Sequence, residues 1–383
     1  MTRREFKVND EITLRLEDGK TIIYVNDEKF LQCTHLIISA SLGDLSKKKV
    51  ESIDDIESFH DEHLGEGVIS PEEEFWGHCS NLQAWAEHDF DSRLLHSNLA
   101  FPLLKELTEI NPRKYETRFK EEICRRMKEG NHSTIYFLYK EGYVERLTRE
   151  EFWSVFDLDF NVRPLINIEN LFNEASEKKI YFKHEISTEV ITPSSSEENS
   201  IKFLIYNNKI TAITFHELEV LNNSLLSDCI EELSKLPYLE ALNIYGCGNL
   251  IHLAENINLL RNLKWLFLEG NNITLLPNEI GKLKKLEELY LENNNISSLP
   301  NDFSLLNNLE FLDLSSNKFE IISNELCQLK NIKKILLKDN KIREIPHQIA
   351  NLKTLIKLDM RGNDIKRNLT LLNKMSKTIR IEI

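Results

Sequence analysis

The chain has 383 residues, enough for two or three domains, and its 41% hydrophobic and 29% charged residues are typical of a globular protein. Its formal net charge of -14 argues against a general binder of nucleic acid or anionic membrane, because both need a basic surface. No apolar run approaches the roughly 20 residues of a membrane helix, and no hydrophobic secretory signal follows the first residues.

The six cysteines are scattered singly, with no C-x-x-C pair among them. This pattern suits free thiols in a reducing compartment better than a disulfide framework or a zinc ribbon. We therefore expect a cytoplasmic protein that needs no metal and no cofactor.

Residues 1–73 predict a small β-meander followed by an acidic connector. The segments ITLRL and TIIYV alternate apolar and polar residues on either side of EDGK, whose Asp-Gly pair is a hairpin turn signal. Residues 41–73, which contain ESIDDIESFHDEH, predict a polar connector with one short helix.

Residues 74–185 predict a helical domain. One apolar stripe is formed by Leu82, Trp85, Ala86 and Phe90. Further along, Asn111-Pro112 is a favourable helix start, and the helix after it repeats an apolar residue every fourth position, at Tyr115, Phe119, Ile123 and Met127. Short amphipathic helices in succession favour a small bundle or a HEAT-like stack. Residues 186–200, rich in Ser, Thr and Glu, predict a linker.

The stretch EFWGHCSNLQAWAEHDFDSRLLH, residues 74–96, has the densest group of potentially reactive side chains: His78, Cys79, His88, Asp91 and His96. As a thiol enzyme, it would place Cys79 near a helix start, where the helix dipole lowers a thiol pKa, with a histidine as the base. As a metal site, it would combine His78, Cys79, His88 and His96, with the HDEH segment at 60–63 offering two more histidines.

The third interpretation is structural, and it is the one we favour. Ser80 or Asn81 would cap a helix whose apolar residues form core, while His78 and Cys79 pack the amino-terminal strands onto the helices. On this interpretation the stretch has no catalytic residue and no metal ligand.

Residues 201–383 repeat themselves with a period of about 23 residues. The copies begin at Leu263, Leu286, Leu309, Ile332 and Leu355, and a looser copy begins at Leu239. An earlier degenerate copy is ITAITFHELEV at 210–220, and the end of the chain predicts a short helix and a last strand with Arg380 and Glu382 outward.

The pattern L-x-x-L-x-L-x-x-N-x-I assigns a role to each residue type. The spaced leucines point into a shared core, and the asparagine amides can bind backbone groups buried where the chain turns inward. The predicted asparagine ladder is Asn271, Asn294, Asn317, Asn340 and Asn363. Cys247 occupies the asparagine position of the looser copy, so this ladder should begin one repeat late.

These motifs resemble intracellular leucine-rich-repeat proteins of the LPxxIxxLxxL type, which include Ras-binding scaffolds. The amino-terminal half, with EFWGHCSNLQAWAEHD, resembles a domain that precedes such repeats in archaeal proteins. The resemblance implies an α+β multidomain chain that ends in a leucine-rich-repeat solenoid, an α/β horseshoe. It also implies a protein partner, with a small Ras-like GTPase as the favoured class.

Inner positions of the repeats predict a binding face on the concave side of the solenoid. We expect exposed aromatic rings over its first four repeats, acidic residues in the middle and basic residues at the end. The predicted partner-binding residues are Tyr245, Trp265, Phe267, Glu269, Glu288, Tyr290, Glu292, Phe311, Asp313, Lys334, Lys338, Lys357 and Arg361. The predicted function is a non-enzymatic adaptor; the alternative is a thiol-dependent hydrolase or ligase that uses Cys79 and selects its substrate with the repeats.

Overall fold

The structure, a computed structural model, describes residues 4–30, 70–129, 132–156, 162–185, 199–206, 209–366 and 379–383. Most of the predicted connector, most of the predicted linker and the helix predicted ahead of Arg380 lie outside these residues. The chain forms two compact units, Met1–Asp157 and Leu158–Ile383. The four-segment division expected from the sequence stays a prediction.

The first unit begins with a four-stranded antiparallel sheet whose strands follow chain order. The strands are β1 Arg4–Lys7, β2 Ile12–Glu17, β3 Lys20–Val25 and β4 Glu28–Lys29. Asp18 and Gly19 join β2 to β3 with φ angles of 49° and 77°, as the tight hairpin turns at Asp-Gly pairs require. Alternate residues of β2 and β3 are buried, so one face of this sheet is apolar.

The described residues of the first unit then form five α-helices, with 3-10 turns at Ser92–Leu94 and Val144–Arg146. The helices are α1 Pro71–Glu87, α2 Ser97–Ile110, α3 Pro112–Glu129, α4 His132–Lys140 and α5 Arg149–Ser154. Helix α3 begins at the predicted Asn111-Pro112 pair, and its four periodic residues are all at most 2% exposed. Period-four apolar residues thus form the buried side of this helix.

Helix α1 begins ten residues earlier than the predicted cap, so the assignment of Ser80 or Asn81 as its cap is wrong. Ser70 is the N-cap: its hydroxyl accepts a hydrogen bond from the Glu73 backbone N–H at 3.3 Å. The Glu73 carboxylate in turn accepts one from the Ser70 N–H at 2.9 Å. This reciprocal pair satisfies two otherwise unpaired donors and fixes the helix start.

The second unit is organised around a ten-stranded sheet, again in chain order. Its elements before the regular repeats are α6 Arg163–Ala175, β5 Phe182–Glu185, β6 Ser200–Tyr206, β7 Lys209–His216, α7 Asn223–Leu233 and β8 Ala241–Tyr245. The repeat strands are β9 Trp265–Phe267, β10 Glu288–Tyr290, β11 Phe311–Asp313, β12 Lys334–Leu336, β13 Lys357–Asp359 and β14 Arg380–Glu382. From β7 onwards every neighbouring pair is parallel.

Each repeat returns from its strand through a short 3-10 helix, because successive parallel strands need a crossover connection. These helices are Glu255–Leu259, Asn278–Lys282, Asn301–Leu305, Leu326–Gln328 and His347–Asn351. The consensus leucines at the centre of the repeat strands are buried, with Leu266, Leu289 and Leu312 all 0% exposed. One apolar layer therefore runs through all the repeats.

The asparagine ladder joins each repeat to the one before it. Asn294 accepts from the Ile273 N–H at 3.0 Å and donates to the Leu268 carbonyl at 2.7 Å and to the Leu291 carbonyl at 3.1 Å. The same arrangement recurs at the other ladder positions, Asn271, Asn317, Asn340 and Asn363. Backbone groups buried at the turn are thereby paired, which avoids about 1–3 kcal/mol for each group.

Candidate functional site

One face of the repeat strands carries the residues that the sequence marks for partner binding. In register across the strands lie Trp265, Glu288, Phe311, Lys334 and Lys357, and beside them Phe267, Tyr290, Asp313, Leu336 and Asp359. Pairing continues past the strand ends, where the Gly270 N–H donates to the Glu292 carbonyl at 3.0 Å. We call this surface the repeat face; on it, residues about 23 apart in sequence are neighbours.

Three aromatic rings form a continuous stack across neighbouring repeats. The ring centroids of Phe267 and Tyr290 are 4.7 Å apart at an interplanar angle of 19°, and those of Tyr290 and Phe311 are 4.7 Å apart at 31°. Tyr290 and Phe311 are half-buried, whereas Phe267 is only 7% exposed. The expectation that all the rings project into solvent is therefore wrong for Phe267, because its neighbours cover it.

The other two predicted aromatic residues lie outside this stack. Trp265 is half-buried and packs against an apolar cluster of Leu204, Ala212 and Ala241. Tyr245 is 38% exposed and stacks on His216 at 5.1 Å between ring centroids. What the sequence suggests as one aromatic cluster is thus a three-ring stack and two separate rings that pack locally.

Carboxylates surround the stack. Glu269, Glu292 and Asp313 lie beside its rings on the same or neighbouring strands, and none of the three is ion-paired among the described residues. Asp313 accepts a hydrogen bond from the Ser315 N–H at 2.8 Å. Glu288 differs, because its carboxylate accepts a hydrogen bond from the Tyr290 hydroxyl at 2.6 Å.

Burial, together with nearby negative charge, raises the pKa of Glu269, Glu292 and Asp313. Desolvation, followed by the charges of Asp313 and Glu292, raises the pKa of Glu269 to about 7. The pKa of Glu292 and that of Asp313 are also raised, in both cases chiefly by burial. Among the basic residues of the repeat face, Lys338 is the one that offsets Glu292. These groups ionise with difficulty because little positive charge is near them.

At the other end of the repeat face, the predicted basic residues are largely neutralised. Arg361 lies 2.5 Å from Asp359 and 3.1 Å from Glu382, and Lys357 lies 3.4 Å from Glu382. The pKa of Asp359 is lowered to about 2, first by its hydrogen bond from Arg361. Lys334 is exposed, and Lys338 lies 3.2 Å from Asp339. The positive end of the predicted charge gradient is therefore weaker than the sequence suggests.

The stretch at 74–96 does not build a reactive thiol. Cys79 lies in the middle of α1, 1% exposed, and burial raises its pKa to about 11. The helix-start argument for a lowered thiol pKa is wrong, because the helix begins at Pro71 and the dipole acts mainly over the first turn. A protonated, inaccessible thiol cannot act as a nucleophile at neutral pH.

Two of the three histidines in the same stretch, His88 and His96, contact backbone groups at helix ends. His88 is at the C-cap of α1, with its Nδ1 2.8 Å from the Ala84 carbonyl, and His96 accepts from the Asn98 N–H at 3.2 Å as the N-cap of α2. His78 is 3% exposed and lies 3.7 Å from a Glu74 carboxylate oxygen. In the part of the chain that the structure describes, no three His, Cys, Asp or Glu side chains are grouped to hold a metal, and the HDEH segment lies outside it.

Comparison with known proteins agrees with the repeat geometry. Residues 221–324 match a family model described as a leucine-rich repeat region. This chain is a leucine-rich-repeat protein. No curated protein matches it. In the described residues, no helix is both long and apolar enough to cross a membrane.

Solved structures align with parts of this leucine-rich-repeat protein. A Leptospira interrogans leucine-rich-repeat protein is 34% identical over 43% of this chain and 38% of its own, with a TM-score of 0.34. The ectodomain of the Arabidopsis thaliana receptor kinase SOBIR1 is 33% identical over 31% of this chain and 67% of its own, with a TM-score of 0.28. Internalin C2 of Listeria monocytogenes is 21% identical over 46% of this chain and 76% of its own, with a TM-score of 0.34. Scores this low transfer no partner and no activity.

Two acidic residues that matter on the repeat face were not among the predicted partner-binding residues. Asp359 and Glu382 neutralise the basic end, and the repeat period itself was the signal that could have found them. Glu382 follows Asp359 by one period, so the two side chains had to be neighbours across β13 and β14.

Asn243 was also missed by the sequence prediction. It is 1% exposed beside Phe267, and nothing in its residue type signals that its amide lacks a partner among the described residues.

Proposed function

We propose that this leucine-rich-repeat protein is a non-enzymatic scaffold that binds a partner protein on its repeat face. The observation that carries the proposal is the stack of Phe267, Tyr290 and Phe311. The rings of Tyr290 and Phe311 are partly exposed to solvent on the repeat face. Leucine-rich repeats are interaction modules, and the long row of strands offers a broad surface of the kind such modules use.

The physical reason is that rigid aromatic side chains contribute strongly to interfaces. Each ring brings a large apolar area and loses little conformational freedom on binding, and truncation of such an anchor often costs about 2 kcal/mol or more. Here the rings support one another at 4.7 Å spacing, so they are already ordered before a partner arrives.

The thiol-enzyme alternative loses its support in the state of Cys79, which is buried and has a raised pKa. A small Ras-like GTPase as the partner rests on the resemblance of the repeats alone, and a cytoplasmic location rests on the use of cysteine. Both stay predictions.

The proposal is tested by affinity capture from a lysate of the source cells with the full chain as bait. The variant Tyr290→Ala with Phe311→Ala removes the open part of the stack, and Tyr136→Ala removes a ring that is 62% exposed in the other unit. We expect the double variant to lose proteins that the wild type and Tyr136→Ala both retain, while circular dichroism shows all three folded. Retention of the same proteins by a folded double variant would refute the proposal.

A further inference from the structure

Six residues of the repeat face form one surface, which we name the aromatic–acidic patch: Phe267, Tyr290, Phe311, Glu269, Glu292 and Asp313. Tyr290 is at its centre, with Phe267 and Asp313 in register on the neighbouring strands. Neighbouring strands lie about 4.8 Å apart, and residues two apart on one strand about 6.5–7 Å apart. Ring faces and carboxylates are therefore within reach of one bound side chain.

The patch has an excess of negative charge, which Lys338 offsets only at Glu292. Its three carboxylates have no ion pair among the described residues, and burial is the largest cause of the raised pKa of each. The Glu269 Oε2 atom is buried and has no hydrogen-bond partner in the described part of the chain. By contrast, Asp359 and Glu382 on the same sheet are paired with Arg361 at 2.5 and 3.1 Å. The repeats thus pair one group of carboxylates with arginine and leave the other with no ion pair among the described residues.

A second observation on the same face is a buried amide without a hydrogen-bond partner among the described residues. Asn243 is in register with Phe267, so its side chain lies on the same face at the border of the patch. It is 1% exposed, and neither its amide nitrogen nor its amide oxygen has a partner among the described residues. Buried amides without partners are rare in native proteins and cost about 1–3 kcal/mol for each group.

We propose that the aromatic–acidic patch binds an arginine side chain on an extended segment of the partner protein. This inference deepens the proposed function and rests on it. A guanidinium is planar and always charged; it stacks on aromatic faces and donates paired hydrogen bonds to carboxylates. The patch offers both partners: Phe311, the half-buried ring at the end of the stack, and carboxylates beside the stack that have no ion pair among the described residues. Lysine offers the same charge without the flat face or the fork.

The geometry also selects against other guests. An acidic segment would meet three carboxylates with raised pKa values, of which only Glu292 has a lysine nearby, so its binding would add to the repulsion. A purely apolar segment would cover the rings but leave the carboxylates desolvated and unpaired, which is costly. A cationic side chain would reduce the repulsion between the carboxylates and would also pair with them.

The experiment measures binding of short fluorescein-labelled peptides to the full-length protein by anisotropy. The probes are nonapeptides that alternate glycine with arginine, lysine or glutamate. We expect the arginine peptide to bind severalfold more tightly than the lysine peptide, and the glutamate peptide not to bind. Equal binding of the arginine and lysine peptides, or tighter binding of the glutamate peptide, would overturn the assignment.

Matched variants separate the patch from the net charge of the protein. Glu292→Gln with Asp313→Asn removes two charges in the patch, and Glu279→Gln with Glu310→Gln removes two outside it, from residues paired with Lys282 and Lys333. We expect the patch variant to weaken arginine-peptide binding about tenfold or more, and the control to change it less than about twofold. Equal loss in both would show that only general charge attraction was measured.

The two proposals fail in distinguishable ways. If Tyr290→Ala with Phe311→Ala abolishes capture of the partner but the arginine peptide does not bind the wild type, the interaction face stands and the arginine guest is wrong. If the arginine peptide binds at the patch and capture is unaffected by the double variant, the peptide contact is not the basis of partner binding, and the proposed function fails.

Discussion

Replacement of Glu269 by glutamine tests whether the acidic side of the repeat face is strained by its own charge. Folding raises the pKa of this carboxyl from 4.5 to about 7, so the ionised form is disfavoured in the folded protein. At about 1.4 kcal/mol for each factor of ten in proton affinity, the largest possible cost is about 3 kcal/mol. Because the side chain keeps some contact with solvent, we expect about 1–2 kcal/mol.

The pH dependence of this effect has a definite sign. A carboxyl with a raised folded-state pKa binds its proton more tightly when folded, so stability decreases as the pH rises from about 4.5 to about 7 and then levels off. Glu269→Gln should therefore unfold at a higher urea concentration than the wild type at pH 8 and at nearly the same concentration at pH 5. Facing charges come from Asp313 and Glu292, and they are unchanged in the variant.

Urea unfolding at both pH values, followed by circular dichroism, measures the difference. Glu310→Gln is the control, since Glu310 lies on the surface 2.6 Å from Lys333 and its loss should be neutral or slightly destabilising. A Glu269→Gln protein that is no more stable than the wild type at pH 8, or equally stabilised at pH 5 and pH 8, would refute the reasoning.

Three further changes test the repeats and the amino-terminal stretch. A Cβ atom at Gly281 would collide with the backbone of the next repeat, so Gly281→Ala should lower the free energy of unfolding by about 1–3 kcal/mol. A Cβ atom at Gly248 would make only an ordinary contact, 3.9 Å from the Asn272 Nδ2 atom, so Gly248→Ala should have little effect in the same urea titration. Asn317→Ala should cost about 2–4 kcal/mol because it leaves buried backbone groups unpaired, and thermal denaturation should show a much smaller loss for Asn295→Ala. In the folded protein at pH 7.5, Cys79 should not react with iodoacetamide until urea unfolds the chain, as mass spectrometry of the labelled peptides can show; rapid labelling without urea would contradict its burial.

In the amino-terminal unit, short sequence motifs were enough to predict individual turns and helix starts. The Asp18-Gly19 turn and the Asn111-Pro112 helix start could both be predicted from the sequence, because each depends on the conformational preferences of two neighbouring residues. The start of α1 was equally local, since Ser70, Pro71 and Glu73 are a capping signal in the sequence. Ser80 and Asn81 are equally favourable capping residues by type, so residue type alone does not choose between the two helix starts.

The sequence by itself determined the leucine-rich repeats. Leucine and asparagine recur at fixed positions of every repeat, because each repeat must bury the same layer and satisfy the same turn, and the period alone places the residues of neighbouring strands side by side.

Only the tertiary structure decided what the repeat face offers to a partner. Burial of Phe267 depends on the ring of Tyr290 from the next repeat, and neutralisation of Arg361 depends on Glu382 from the last strand. The raised pKa of Glu269 depends on desolvation and on charges from two other repeats. Exposure, ion pairing and proton affinity are set by neighbours in space, so residue type and position in the repeat could not fix them.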